Sequence, residues 1–346
     1  MAKESTADAT GERSSPTRCV GCGAMWSAKT NWPPVRITCF PISSPRIGFH
    51  PMRPLVIALL CFLPAPLLAQ DMPLSDVLIA GQDWEVVAEG YKFTDGPAVD
   101  ADGNVYFTDV PGQLVLKIDH ATKQVTKFSE GEGGTSGLMF GPDGRLYGSQ
   151  YFNRRIVAFD AEGKVEVIAE DLGANDLVVA SNGNIYCTDT PGHQVWLVRP
   201  NGEKQVVAKD IAAPNGIILW PKEGTLVVAD SAGKNLLAYR VEEDGTLSYG
   251  APVYTCRVRQ KDAPSKADGM TVDSAGRLYV ATDLGLQMFD PTSRICGVFS
   301  KPTSAFTSNV VLGGPQLDTF YVTCGGGIYR RATQATGLRY GKVNEK

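Results

Sequence analysis

Six copies of one unit of about forty residues run through most of this chain, and no other property of the sequence restricts its fold as much. Each copy opens on a small polar pair leading into an apolar strand: Asp95-Gly96-Pro97, Ser136-Gly137-Leu138, Asn175-Asp176-Leu177, Asn215-Gly216-Ile217, Asp268-Gly269-Met270 and Asn309-Val310-Val311. The intervals between openings are 41, 39, 40, 53 and 41 residues. A second strand follows in every copy: Asn104-Val105-Tyr106-Phe107, Arg145-Leu146-Tyr147, Asn184-Ile185-Tyr186, Thr225-Leu226-Val227, Arg277-Leu278-Tyr279 and Thr319-Phe320-Tyr321. Turns such as Asp102-Gly103 and Asp143-Gly144 precede it. Third strands are expected over 114–118, 156–159, 195–198, 236–239 and 286–289, and fourth strands over stretches such as 124–128 and 205–208. Four strands per forty-residue repeat predict an all-β fold, a six-bladed β-propeller with four-stranded blades.

The sixth copy has no candidate for its fourth strand, because only a polar tail rich in Thr, Gly and Lys follows residues 327–331. Residues 84–89, Trp-Glu-Val-Val-Ala-Glu, stand just before the first copy and resemble the outer strands 165–170 and 205–209. They are expected to complete blade six, closing the ring and leaving no unpaired edge there.

Residues 1–51 show neither helical nor strand periodicity and are expected to be an unstructured or mis-assigned extension. Met52-Arg53-Pro54, the apolar run 55–69 and the ending Leu67-Leu68-Ala69-Gln70 match a signal peptide over 52–70. Cleavage near Ala69 would send a propeller domain of residues 71–346 to the periplasm or outside the cell, and the run is too short for a comfortable membrane span. Of eight cysteines, Cys187, Cys256, Cys296 and Cys324 fall in the propeller, enough for one disulfide of unspecified pairing. The net charge is −4 with no Lys/Arg-rich run, which argues against nucleic acid or an anionic membrane as partner and for a small molecule.

The innermost strand of a propeller blade borders the axis, so the residue leading each copy is expected at one rim of the central channel. These leaders are Asp95, Ser136, Asn175, Asn215, Asp268 and Asn309, all oxygen-bearing. Asp and Asn also serve as turn and strand-end residues, which would explain any one of them. Several carboxylates and amides converging on one axis need hydrogen bonds or a cation to satisfy them. Hard oxygen donors suit one divalent cation: Ca²⁺ first, Mg²⁺ or Mn²⁺ as substitutes, and Zn²⁺ a poorer match because it prefers N or S donors. Only His120 and His193 occur in the repeats, and neither leads one, which disfavours a Ser-His-Asp triad.

Four stretches resemble the gluconolactonase and senescence marker protein (regucalcin-like) family of six-bladed propellers. They are Phe93-Thr94-Asp95-Gly96-Pro97, Asn175-Asp176-Leu177, Pro214-Asn215-Gly216 and Asp268-Gly269-Met270-Thr271-Val272-Asp273, joined by the last-blade segment Asn309-Val310-Val311-Leu312-Gly313-Gly314-Pro315. The resemblance implies a metal held by Asp95, Asn215, Asp268 and Asn175, with Asp95 standing where the family carries Glu. It further implies hydrolysis of a sugar lactone or related cyclic ester, with the cation as Lewis acid and Asp268 as ligand and general base. Asn175, Ser136, Asn309 and Arg154 are the expected substrate contacts, Ser136 standing where relatives often have Asn. The alternatives are a non-catalytic, metal-stabilised propeller that binds a glycan or protein, and a metal-dependent hydrolase of other esters.

Overall fold

The computed structural model describes residues 72–130 and 133–339. The expected leader at 1–51 and signal peptide at 52–70 lie outside these residues, as does the end of the polar tail, 340–346. Among the described residues no helix is long and apolar enough to cross a membrane, and a 3-10 turn at Leu74–Asp76 precedes the sheets.

Among the described residues twenty-four strands form six antiparallel four-stranded sheets. After β1 (Glu85–Glu89), blade one comprises β2 (Thr94–Val99), β3 (Val105–Asp109), β4 (Leu114–Ile118) and β5 (Val125–Glu130). Blade two is β6 (Thr135–Phe140), β7 (Leu146–Gln150), β8 (Arg155–Phe159) and β9 (Val165–Ala169). Blade three is β10 (Leu177–Val179), β11 (Ile185–Asp189), β12 (Gln194–Val198) and β13 (Lys204–Ala208). Blade four is β14 (Pro214–Leu219), β15 (Thr225–Asp230), β16 (Asn235–Val241) and β17 (Leu247–Thr255). Blade five is β18 (Met270–Val272), β19 (Leu278–Thr282), β20 (Gly285–Phe289) and β21 (Ile295–Phe299). Blade six is β22 (Thr307–Gly313), β23 (Thr319–Cys324) and β24 (Gly327–Ala332), with β1 as its outer strand in the order β1-β24-β23-β22. The expected closure is therefore formed, with Glu85 paired to Arg330 and Glu89 to Gly327.

The six second strands carry the core. β3, β7, β11 and β19 are buried along their whole length because neighbouring blades cover both faces, which explains their near-continuous Val, Leu, Ile and Tyr content. Outer strands are only partly buried, and β17 is largely exposed. The long 53-residue interval is taken up by the nine-residue β17 and the connector 256–267, which returns to the β15–β16 turn through Cys256 N to Lys234 O and Ser265 N to Gly233 O.

Cys187, Cys256 and Cys324 are buried thiols, which corrects the allowance for a disulfide. Cys256 packs with blades four and five and Cys187 with blades two and three, and burial pushes the Cys256 thiol up to about 12. These are small core hydrophobes.

Candidate active site on the propeller axis

Each innermost strand begins at what we call the upper rim, and the backbone there is irregular. Register shifts interrupt pairing between Asp95 and Ala98, Thr135 and Leu138, Pro214 and Ile217, and Thr307 and Asn309. A bulge inserts residues without ladder partners and re-aims side chains. Here it lets the leading residue of a blade face the axis.

The glycine after a leader is where the next blade's leading pair packs. A Cβ on Gly137 would lie 2.1 Å from Asp176 Oδ1, and one on Gly269 would lie 1.8 Å from the Asn309 amide carbon. Gly96 and Gly216 meet the backbone of Ser136 and Asp268 in the same way. The third copy has Asp176 in the glycine's place, and its carboxylate is thereby brought onto the axis.

Asp95, Asp176 and Asp268 are held by amides and hydroxyls. Asp95 accepts from Gly96 N at 2.8 Å, from Ser136 Oγ at 3.0 Å and from Asn309 Nδ2 at 3.4 Å. Asn309 Nδ2 also donates to Asp176 Oδ2 at 3.5 Å, so one amide nitrogen spans two carboxylates. Asn175 Nδ2 donates to Asn215 Oδ1, and Asn215 Nδ2 to Ser231 Oγ at 3.2 Å. None of the three acids forms an ion pair among the described residues.

Their electrostatics follow from that lack. Burial raises the Asp95 carboxyl above the usual range, with Gly96, Ser136 and Asn309 opposing the shift. Burial pushes Asp176 well up, and the Asp95 charge adds to it. Asp268 is also pushed well up by burial, then by Asp95 and Asp176, with the Asn215 amide opposing. Among the described residues no cluster of three or more His, Cys, Asp or Glu is arranged around a metal-sized point. The convergent set draws much of its oxygen from Asn instead. A divalent cation fits this oxygen-only chemistry, because it supplies the positive charge that the surrounding side chains do not.

The expected site residues are thus only partly assembled as anticipated. Asp95, Asn175, Asn215, Asp268, Ser136 and Asn309 form one linked cluster. Ser136 and Asn309, expected to touch substrate, spend their donors on Asp95 and Asp176. Arg154 stands apart, exposed in the 151–154 hairpin with φ 54°. Gln113 and His193 have the matching position and conformation in blades one and three, with φ 57° and 55°, so this is a hairpin position. His193 Nδ1 contacts Ala212 O at 2.7 Å, tying that hairpin to the next connector. The exposed rings of Tyr151 and Phe152 meet edge-on beside Arg154, with centroids 6.0 Å apart. Asp176 is the site residue that reading the leaders alone missed; its signal was an acid where four of the six copies have glycine.

Comparison with known proteins places this arrangement. Residues 93–326 match the family model described as SMP-30/Gluconolactonase/LRE-like region. A gluconolactonase of Zymomonas mobilis is 23% identical over 292 residues, covering 73% of this chain and 82% of its own. The pentonolactonase XacC of Haloferax volcanii is 28% identical, covering 50% of this chain and 60% of its own. Among solved structures, a putative gluconolactonase superposes with a TM-score of 0.69 at 24% identity, covering 77% of this chain and 97% of its own. The calcium-binding regucalcin of Agrobacterium tumefaciens gives 0.66 at 16% identity, covering 77% and 98%. The matched region takes in the innermost strands of all six blades with every leading residue, and the chain belongs to the SMP-30/gluconolactonase/LRE-like family.

Proposed function

We propose that this protein is a lactonase-type carboxylic ester hydrolase that opens the ring of a sugar lactone or related cyclic ester, using one divalent cation, Ca²⁺ in the first instance. The observation that carries this reading is the trio of axial carboxylates with no built-in positive partner, set in the family whose relatives are named for lactone hydrolysis. Asp95, Asn175, Asn215 and Asp268 would hold the cation. When bound, it supplies the charge that polarises a lactone carbonyl and keeps the buried carboxylates ionised.

Asp268 as a carboxylate accepts a proton from the attacking water, whose oxygen forms the new bond to the carbonyl carbon. The ring C–O bond then breaks and the ring oxygen takes up that proton, giving a hydroxy acid. Ser136 and Asn309 hold Asp95 and Asp176 in place throughout.

The test is turnover of a lactone panel that includes glucono-δ-lactone and δ-valerolactone, with Ca²⁺ and with EDTA. Turnover is expected to depend on the metal, and Asp268→Asn to lower kcat by about 10²–10⁴ while still binding Ca²⁺. Full rate in EDTA, or full rate in Asp268→Asn, would overturn the mechanism. Metal binding without turnover of any lactone would point to a non-catalytic propeller.

A further inference from the structure

On the upper rim, the same rim as the leading residues, the blade-two hairpin 151–154 joins β7 to β8 and holds Tyr151 and Phe152 exposed. The four other large apolar side chains left exposed among the described residues all lie on the outer strands β1, β9 and β17. The hairpin is fixed to the segment that enters β6. Tyr151 N donates to Gly134 O at 3.1 Å, and Phe152 N to Gly133 O at 2.9 Å. A Cβ on Gly134 would lie 2.4 Å from the Phe152 ring, so that ring touches the backbone two residues before Ser136. Ser136 in turn bonds Asp95 at 3.0 Å, which sets the aromatic pair beside the axial cluster.

Arg155 stands in the same row. Thr135, Gln150 and Arg155 are direct partners on β6, β7 and β8, which puts the Arg155 backbone about 10 Å outward from Thr135. Its side chain leans back toward the axis, because Nε donates to Gln150 Oε1 at 2.6 Å, one strand further in. Arg145, Arg259, Arg277, Arg294 and Arg330 each bond a carboxylate. Arg155 is half-buried and forms no ion pair among the described residues. With Nε engaged, the two terminal nitrogens of the guanidinium remain as a planar donor pair, which matches a carboxylate with two charge-assisted hydrogen bonds. A hydroxymethyl group in the same place would leave that charge unmatched.

We propose that this hairpin sets the specificity of the site, and that the substrate is a sugar-acid lactone bearing a second, free carboxylate. The apolar face of the ring packs on Phe152, Arg155 holds the carboxylate, and Gln150 is a positioning residue for Arg155. This inference rests on the lactonase reading and refines its substrate class.

The experiment uses the full chain with Ca²⁺ and compares kcat/KM for D-glucaro-1,4-lactone and D-glucono-1,4-lactone, which differ only in a carboxylate against a hydroxymethyl group. The wild-type chain is expected to favour the glucarolactone by at least about 10-fold. Arg155→Met should lower glucarolactone turnover by about 10–150-fold and gluconolactone turnover by less than about threefold, the second rate showing that the variant folds. Phe152→Ala should lower both by about 2–12-fold. An equal loss for both lactones in Arg155→Met would make the arginine a structural part of the hairpin and overturn the assignment.

A binding arm does not depend on catalysis. The non-hydrolysable 3-oxocyclopentane-1-carboxylate should bind the Ca²⁺-loaded wild-type chain at least about 10-fold more tightly than 3-(hydroxymethyl)cyclopentanone by calorimetry, and the difference should vanish in Arg155→Met. A difference that persists in the variant assigns the carboxylate to the cation and overturns the subsite. Lactone turnover without carboxylate preference, together with equal affinity for the two ketones, also overturns it and leaves the lactonase reading intact. Ketone binding that depends on both the carboxylate and Arg155, without turnover of any lactone, does the reverse.

Discussion

Two buried carboxylates bracket the three-residue strand β18, and they are treated in opposite ways. Asp268 stands before it on the upper rim, near Asp95 and Asp176, with amides for partners and its carboxyl pushed well up. Asp273 stands after it on the lower rim, fully buried. It accepts from Arg277 Nε at 2.6 Å, Tyr279 Oη at 2.7 Å, and the backbone N of Ala275 and Arg277, both at 2.9 Å. The chain therefore has the means to neutralise a buried acid within one turn, and uses them at one end of a strand and not at the other. The lower acid is a finished structural unit. The upper acids have no positively charged side chain paired with them among the described residues.

Removing the partner at the finished end should have the largest effect. Arg277→Met leaves Asp273 buried and unpaired, and is expected to cost about 3–5 kcal/mol in urea unfolding, a loss that Ca²⁺ does not reverse. A cost below about 1 kcal/mol would break the comparison.

At the upper end the partner should be replaceable from solution. Ca²⁺ at a hundredfold excess over its Kd is expected to stabilise the fold by about 2.7 kcal/mol. That corresponds to a Tm rise of roughly 5–11 °C, absent when Asp95, Asn215 and Asp268 are all replaced by Ala. The pH dependence sharpens this. The folded chain holds protons on Asp95, Asp176 and Asp268 more tightly than the unfolded chain does. The contribution of these three groups to metal-free stability is therefore greatest below the ordinary carboxylate range and is lost as pH rises through their raised values. In EDTA that contribution should fade as pH rises above the ordinary carboxylate range, and the Ca²⁺ increment to Tm should grow over the same rise. An increment that stays flat with pH would mean that the carboxylates are not the ligands.

The smallest effect should come from Ser136→Ala, which removes the hydroxyl donor to Asp95. It is expected to cost about 1–2 kcal/mol in EDTA, read from the urea midpoint. No change would mean that water serves Asp95 as well as the serine does.

Most of the architecture was legible because the repeat states it outright. Six openings fix six blades, and the lack of a fourth strand after residue 331 required residues 84–89 to supply it. The leading residues were legible as an oxygen-rich ring for the same reason. Their division of labour was not. Asp176 follows a leader, and only the bulged, crowded rim turns the residue after a leader toward the axis. Ser136 and Asn309, read as substrate contacts, donate to the carboxylates of Asp95 and Asp176, which their place in the repeat does not state. The cysteines were ambiguous because sequence does not say which blades bury each one.

The closing strand has a consequence in time. Glu85 of β1 bonds Arg330 of β24, a partner 245 residues later in the chain. At synthesis rates of 5–20 residues per second, β1 waits roughly 12–50 s after emerging before its partner exists. During that interval the earlier blades form an arc with two open flanks, each a template for stray pairing. Yield from the ribosome should then depend on what shields that arc rather than on the stability of the finished ring.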